Sequence, residues 1–152
     1  MRRFVAFLMS LACTTLPALA QQPPATAIPD APALPAGIYR ATGVKEALAA
    51  LGATGAAASG RLLLDVPDIH DTRQPVPVRM RSELPNTDAM VLLIERRVRP
   101  VAFAIAMRPM TNPDIVFQVP VDSTSLVQLL VRADGRWYAV SRKVRLATEA
   151  WK

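Results

Sequence analysis

The chain has 152 residues, of which 51% are hydrophobic, and its formal net charge is +6. This length and composition predict one globular domain with an apolar core, and they exclude a small scaffold that depends on disulfides. Cys13 is the one cysteine, so no disulfide can form within the chain.

Residues 1–20 have the pattern of a secretory signal. Arg2 and Arg3 precede the apolar run FVAFLMSLA, and Ala18-Leu19-Ala20 supplies a small-x-small end. A membrane-spanning helix needs roughly 20 apolar residues, so this run is too short to span a membrane. We therefore expect cleavage after Ala20 and export to a bacterial periplasm.

Cys13 lies inside this signal. Cleavage after Ala20 would leave the exported chain without thiol catalysis or a cysteine-ligated metal. The alternative is that Ser10-Leu11-Ala12-Cys13 is a lipoprotein cleavage box with Cys13 as the acylated first residue. Serine is a poor residue at the head of such a box, so we expect cleavage after Ala20.

The next stretch, residues 21–36, is rich in proline and alanine without periodicity. This composition predicts a disordered or polyproline-like linker, followed by a folded domain over residues 37–152. Val44, Leu48 and Leu51 recur at helical spacing before Gly52, which predicts one short helix ending in a glycine cap. The following residues, GATGAAASG, predict a loop.

Beyond Arg61 the apolar residues alternate, and turn signals recur about every ten to twelve residues. This pattern is typical of an all-β, immunoglobulin-like antiparallel sandwich of about seven strands. The run AMVLLIE is predicted to be buried on both faces. Pro120 indicates a sheet edge. The residues predicted to face inward are Leu62, Leu64, Val66, Val76, Val78, Met80, Val127, Leu129, Val131, Tyr138, Val140, Val144 and Leu146.

The segment VAFAIAM predicts a strand with its large side chains, Val101, Phe103, Ile105 and Met107, on one face and only alanines on the other. A face of small residues favours close approach of another surface, and the arginines of the preceding turn favour an acidic partner. The alternative for that turn is ordinary solvated arginines. The predicted docking residues are Arg96, Arg97, Arg99, Ala102, Ala104 and Ala106.

Candidate catalytic and metal-binding groups are few. His70 stands with Asp65, Asp68 and Asp71, a set that suits a divalent metal or a general base. Turns rich in aspartate and proline have the same composition for conformational reasons, and that interpretation is favoured. A serine nucleophile would need His70 as its base, and no nucleophile elbow surrounds any serine. We therefore predict no enzymatic activity, no metal and no cofactor.

Four methionines, Met80, Met90, Met107 and Met110, are candidate Cu(I) ligands. Three of them fall on positions predicted to face the interior, which favours core packing. Nucleic acid is not an expected partner, because export separates the protein from it and no stacking aromatics accompany the arginines.

Two long segments resemble the SoxY family, the periplasmic carrier subunit of the thiosulfate-oxidising Sox system. LLLDVPDIHDTRQPVPVRMRSELPNTDAMVLLIERRVRPVAFAIAM contains a strand, a proline-acid turn, V-P-V and an L-P-x-T-D turn. DSTSLVQLLVRADGRWYAVSRKVRL adds the threonine-serine strand start, the D-G turn and the last strand. The order and spacing of these elements, over about residues 43–146, produce the resemblance.

The resemblance implies an immunoglobulin-like domain paired with a second sandwich subunit, SoxZ. In that family the last strand continues into a Gly-Gly-Cys-Gly-Gly arm whose cysteine carries the sulfur intermediate. Here the last strand continues into ATEAWK, so we expect a chain without the carrier cysteine and its flexible glycines. The role of ATEAWK is left open.

The function that the resemblance implies is a non-catalytic docking subunit of sulfur-compound oxidation. Its partner would be a SoxZ-like subunit or a periplasmic oxidoreductase, and the sequence leaves open whether a heterodimer or a homodimer forms. The alternative is an accessory protein of a periplasmic quinoprotein alcohol dehydrogenase.

Overall fold

The computed structural model describes residues 32–71, 74–110 and 112–147. The expected signal segment, most of the expected linker and the ATEAWK segment beyond residue 147 lie outside the described residues. None of the described helices is both long enough and apolar enough to cross a membrane.

Within the described residues, two short helices precede nine strands. The helices are a 3-10 helix over Ala36–Arg40 and the α-helix α1 over Val44–Leu51. The strands are β1 Ala57–Ala58, β2 Leu62–Asp65, β3 Ile69–His70, β4 Val76–Ser82, β5 Thr87–Ile94, β6 Val101–Met110, β7 Asp114–Val119, β8 Ser125–Ala133 and β9 Arg136–Leu146.

The predicted helix is confirmed with the predicted glycine cap. Gly52 adopts a left-handed conformation with φ 67°, and its backbone N–H donates to the carbonyl oxygens of Leu48 and Ala49. At the other end, the Thr42 backbone N–H donates to Glu46 Oε2 at 2.8 Å. Glycine accommodates the left-handed conformation without the steric cost of a Cβ, which explains where the helix ends.

The strands form two sheets, as expected for the sandwich. The six-stranded sheet has the order β1-β9-β8-β5-β6, with β3 also paired to β9, and the three-stranded sheet has the order β2-β4-β7. The seven longer strands match the predicted count. The two-residue strands β1 and β3 are additional, and both run parallel to β9. The sequence does not predict them, because two residues are too few to show an alternating pattern.

The main core lies between the two sheets and confirms the predicted inward faces. Met80, Met90 and Leu92 are fully buried there. Val66, Tyr138 and Val140 pack against the same cluster while remaining partly exposed. β7 lies at the end of its sheet, which confirms the edge indicated by Pro120.

A second apolar layer covers the outer face of the large sheet. Ile38 and Leu51 pack there against Val91, Leu93 and Leu130. This helix layer explains why residues 89–94 are buried on both faces, as predicted. It also reaches into the last residues of the expected linker, because Leu34 packs against it.

Turns with a positive φ close one end of the sandwich. Asn86 has φ 52°, and Asp134 and Gly135 have φ 49° and 71°. The Asn86 side-chain amide donates to Asp134 Oδ1 at 2.8 Å, which ties the two turns together. The opposite end holds the β5–β6 turn, the loop before β8 and the last residues of β9.

Candidate docking site

The turn between β5 and β6, residues 95–100, is called the basic turn below. Its base is fixed by two backbone hydrogen bonds. The Ile94 N–H donates to the Pro100 carbonyl oxygen at 2.8 Å, and the Glu95 N–H donates to the Leu126 carbonyl oxygen at 3.0 Å. The turn is therefore held both to itself and to β8, and its tip projects from a rigid base.

The tip of the basic turn carries one apolar and three cationic side chains. Val98 is 85% exposed, Arg96 and Arg99 are exposed, and Arg97 is half-buried. None of the three guanidinium groups forms a hydrogen bond or ion pair with another described residue. A guanidinium presents a planar fork of donors that suits carboxylates, so the tip is equipped to bind an acidic surface.

An open depression of about 420 Å³ lies beside the three arginines. Its far side is formed by Asp122 and Ser123, in the loop before β8, and by Ser125, the first residue of β8. The Ser125 hydroxyl donates to the Ser123 carbonyl oxygen at 2.9 Å, which holds this loop in place. Asp122, together with Glu95 at the base of the turn, offsets part of the positive charge.

Strand β6 follows the basic turn and lies at the end of the large sheet. No strand among the described residues pairs with its outer edge. Residues 101–107 carry only apolar side chains, and all seven are half-buried. A long, uncharged apolar edge is prone to pair with other chains unless something covers it. This edge and the basic turn form one continuous surface.

The predicted inward positions of Phe103, Ile105 and Met107 on β6 are confirmed. The predicted alternation is wrong at Val101 and Ala102, because a bulge interrupts it there. Leu92 pairs with Phe103 while Leu93 pairs with Val101, so one residue of β6 is extra. An extra residue moves the following side chains to opposite faces. Val101 therefore packs against the helix layer, and Ala102 packs against the main core.

The same pairing of β6 with β5 determines where the other two predicted docking alanines lie. Ala104 packs against the helix layer, and Ala106 pairs with Ala89 and is half-buried. The three alanines therefore do not form one open face. The part of β6 that remains available is its backbone edge, which a stack of Phe103 on Phe117, with ring centroids 4.5 Å apart, anchors to the small sheet.

His70 lies on β3 and is half-buried. Its Nε2–H donates to the Gln74 carbonyl oxygen, and its own carbonyl oxygen accepts from the Ala147 N–H at 2.9 Å. Among residues 32–71, 74–110 and 112–147, no group of three histidine, cysteine, aspartate or glutamate side chains could hold a metal ion. These contacts fasten the β2–β4 connection to β9.

Three of the four methionines lie in or against the main core, and the fourth does not. Met80 and Met90 are fully buried, Met107 packs against the main core, and Met110 is 46% exposed at the end of β6. The prediction that three of them face the interior is confirmed.

Sequence reasoning missed a salt bridge on the outer face of the small sheet. The Arg79 Nε–H donates to Asp114 Oδ1 at 2.9 Å, and this hydrogen bond holds the pKa of the Asp114 carboxyl below its usual value. Val116, on the same face, is 70% exposed. Alternation along β7 predicts which of its residues share this face. It does not indicate that β4 is the neighbouring strand.

Two comparisons with known proteins bear on this arrangement. A family model described as "Sulfur oxidation protein SoxY" matches residues 47–150. Among solved structures, the chain is similar to the sulfur carrier protein SoxY from Chlorobium limicola f thiosulfatophilum, with 19% sequence identity and a TM-score of 0.62. That match covers 68% of this chain and 94% of the other, and it shows a shared fold. No curated protein matches the chain.

Proposed function

Because the chain belongs to the SoxY family of sulfur oxidation proteins, we propose that it is a periplasmic, non-catalytic subunit of thiosulfate oxidation. It docks with a SoxZ-like partner and holds no sulfur on a cysteine of its own. The observation that carries this proposal is the uncovered apolar edge of β6 beside the basic turn.

The docking role follows from the chemistry of that surface. An apolar strand edge provides main-chain hydrogen bonds for a partner strand, while exposed arginines give electrostatic steering and selection against basic partners. Val98, exposed between arginines, offers an apolar contact at the centre of a charged rim. This combination suits a partner that presents an apolar strand edge next to acidic side chains.

The position of the surface supports the same role. The end of β9 lies at the same end of the sandwich as the basic turn, because Val144 pairs with Ser125 and Ile94 pairs with Val127. In the family that the chain resembles, the arm with the carrier cysteine leaves from this strand. A partner held by the basic turn would therefore sit close to the place where an arm emerges.

The absence of covalent carriage is supported by the cysteine content. Cys13 is the one cysteine of the 152 residues, and it precedes the residues matched by the family model. Sulfur carriage needs a thiolate as the attacking group. Residues 14–152 supply none, so the proposed role is to hold or recruit proteins that handle sulfur.

Intact-mass spectrometry of the protein isolated from its native periplasm tests this part of the proposal. After incubation with polysulfide, we expect no added mass and an N-terminus at Gln21. The Ala150→Cys variant is the matched control, and it should gain mass and lose it again on reduction. A reducible gain in the unaltered protein would contradict the proposal. A first residue at a lipid-modified Cys13 would contradict the expected cleavage after Ala20.

A further inference from the structure

A second surface lies on β9, the longest strand of the described chain. Its outer edge is paired only near its two ends, with β1 at Tyr138 and Ala139 and with β3 at Arg145 and Leu146. Between them, residues 140–144 have no partner strand among the described residues. The gap exists because the chain leaves the large sheet after β1, runs through the small sheet as β2 and then returns. We call residues 140–144 the β9 edge window.

The backbone groups of the window point outward. The Arg145 N–H donates to the Asp68 carbonyl oxygen at 2.8 Å, and the Ala147 N–H donates to the His70 carbonyl oxygen at 2.9 Å. Backbone groups in a strand alternate in direction with a period of two residues. The N–H and C=O groups of Ser141 and Lys143 therefore point to the same outer edge.

The window is open enough for another chain. Ser141, Arg142 and Lys143 are exposed. A depression of about 490 Å³ lies alongside, lined by Ala58, Ser59 and Gly60 on one side and by residues 139–141 on the other. The residues on the opposite wall are small, and beyond them β2 passes close to β9.

The charged side chains of β9 at the window are all positive. Arg142, Lys143 and Arg145 stand on β9, and Arg61 stands on the crossing segment, all of them exposed. Acidic side chains stand on the crossing segment at Asp65, the last residue of β2, and at Asp68, whose carbonyl oxygen accepts from the Arg145 N–H. Pairing with a second copy of this window would bring like charges together, which is unfavourable.

We infer that the β9 edge window binds an extended acidic segment of a partner protein. The segment adds to β9 as a short strand through main-chain hydrogen bonds to Ser141 and Lys143, the mode known as β-augmentation. Its carboxylates lie on the face of β9 that carries Lys143 and Arg145, because alternation places Arg142 on the core face with Val140 and Val144. This site is separate from the basic turn and does not depend on the proposed docking there.

Titration of the isotopically labelled full chain with a synthetic peptide of alternating glutamate and valine tests the inference. We expect chemical-shift changes and slowed hydrogen exchange at the amides of Ser141 and Lys143. The same peptide methylated on alternate backbone nitrogens should fail to bind, because it cannot complete the strand pairing. Binding that leaves these two amides unprotected, or that survives methylation, would overturn the inference.

Charge reversal provides the second arm. Lys143→Glu combined with Arg145→Glu should weaken peptide binding about tenfold or more, because two attractive pairs become repulsive. Arg136→Glu combined with Arg40→Glu is the matched control, since both residues are exposed and lie outside the window. Equal affinity in the two double variants would contradict the site.

Discussion

Reversing the three arginines of the basic turn, Arg96→Glu, Arg97→Glu and Arg99→Glu together, is expected to weaken binding of a SoxZ-like partner about a hundredfold. The free energy of unfolding should stay within about 0.5 kcal/mol of the unaltered protein, because the three guanidinium groups form no hydrogen bond or ion pair with another described residue. Calorimetry and chemical denaturation of the same samples measure the two quantities.

The salt dependence of the association rate tests for electrostatic steering by the basic turn. The association rate of the unaltered protein should fall as ionic strength rises, since salt screens exposed charges. In the triple variant that dependence should be reversed or lost.

A control with the same change in net charge combines Arg40→Glu, Lys45→Glu and Arg136→Glu, all at exposed positions away from the basic turn. We expect this control to bind the partner within about threefold of the unaltered protein. A loss equal to that of the basic-turn variant would mean that overall charge, rather than the turn, determines binding.

Leu92→Ala is expected to lower the free energy of unfolding by about 2–5 kcal/mol, because it leaves a cavity in a fully packed core. Leu92 is fully buried and lies between Phe103 of β6 and Leu129 of β8 in the sheet. It also lies at the bulge that sets the register of β6. The substitution should therefore loosen the docking edge as well as the core.

Leu126→Ala is the matched control for this prediction. Leu126 is 40% exposed on the neighbouring strand β8, so its truncation should cost about 0.5 kcal/mol or less. Urea denaturation gives both values. Similar costs for the two variants would show that Leu92 does not lie in a tightly packed interior.

The sandwich could be predicted because its interior is regular. Strict alternation along β4 and β9, and an apolar run at β5, identify inward faces and a strand buried on both sides. The cap at Gly52 could be predicted from one residue type, because glycine adopts the left-handed conformation without steric cost.

The register of β6 could not be predicted. A bulge is one extra residue, and VAFAIAM keeps a perfect alternation through it, so the pattern gave no sign that Val101 and Ala102 change faces. The pairing of β1 and β3 with β9 could not be predicted either, because each of these two strands is only two residues long.

Only part of the candidate docking site could be predicted from the sequence. Three arginines in one turn can be read from the sequence, but the loop with Asp122 and Ser125 faces them only because β8 pairs with β5. The β9 edge window likewise depends on where the chain crosses between the sheets. Sites formed by neighbouring strands depend on strand order, which alternation does not specify.

The most direct test of the proposed function is to isolate the protein from its native organism and identify by mass spectrometry the proteins that accompany it. We predict a SoxZ-like subunit in equimolar amount, with Sox enzymes in lower yield. Recovery of a quinoprotein dehydrogenase instead, or of the chain with no partner, would contradict a docking role in thiosulfate oxidation.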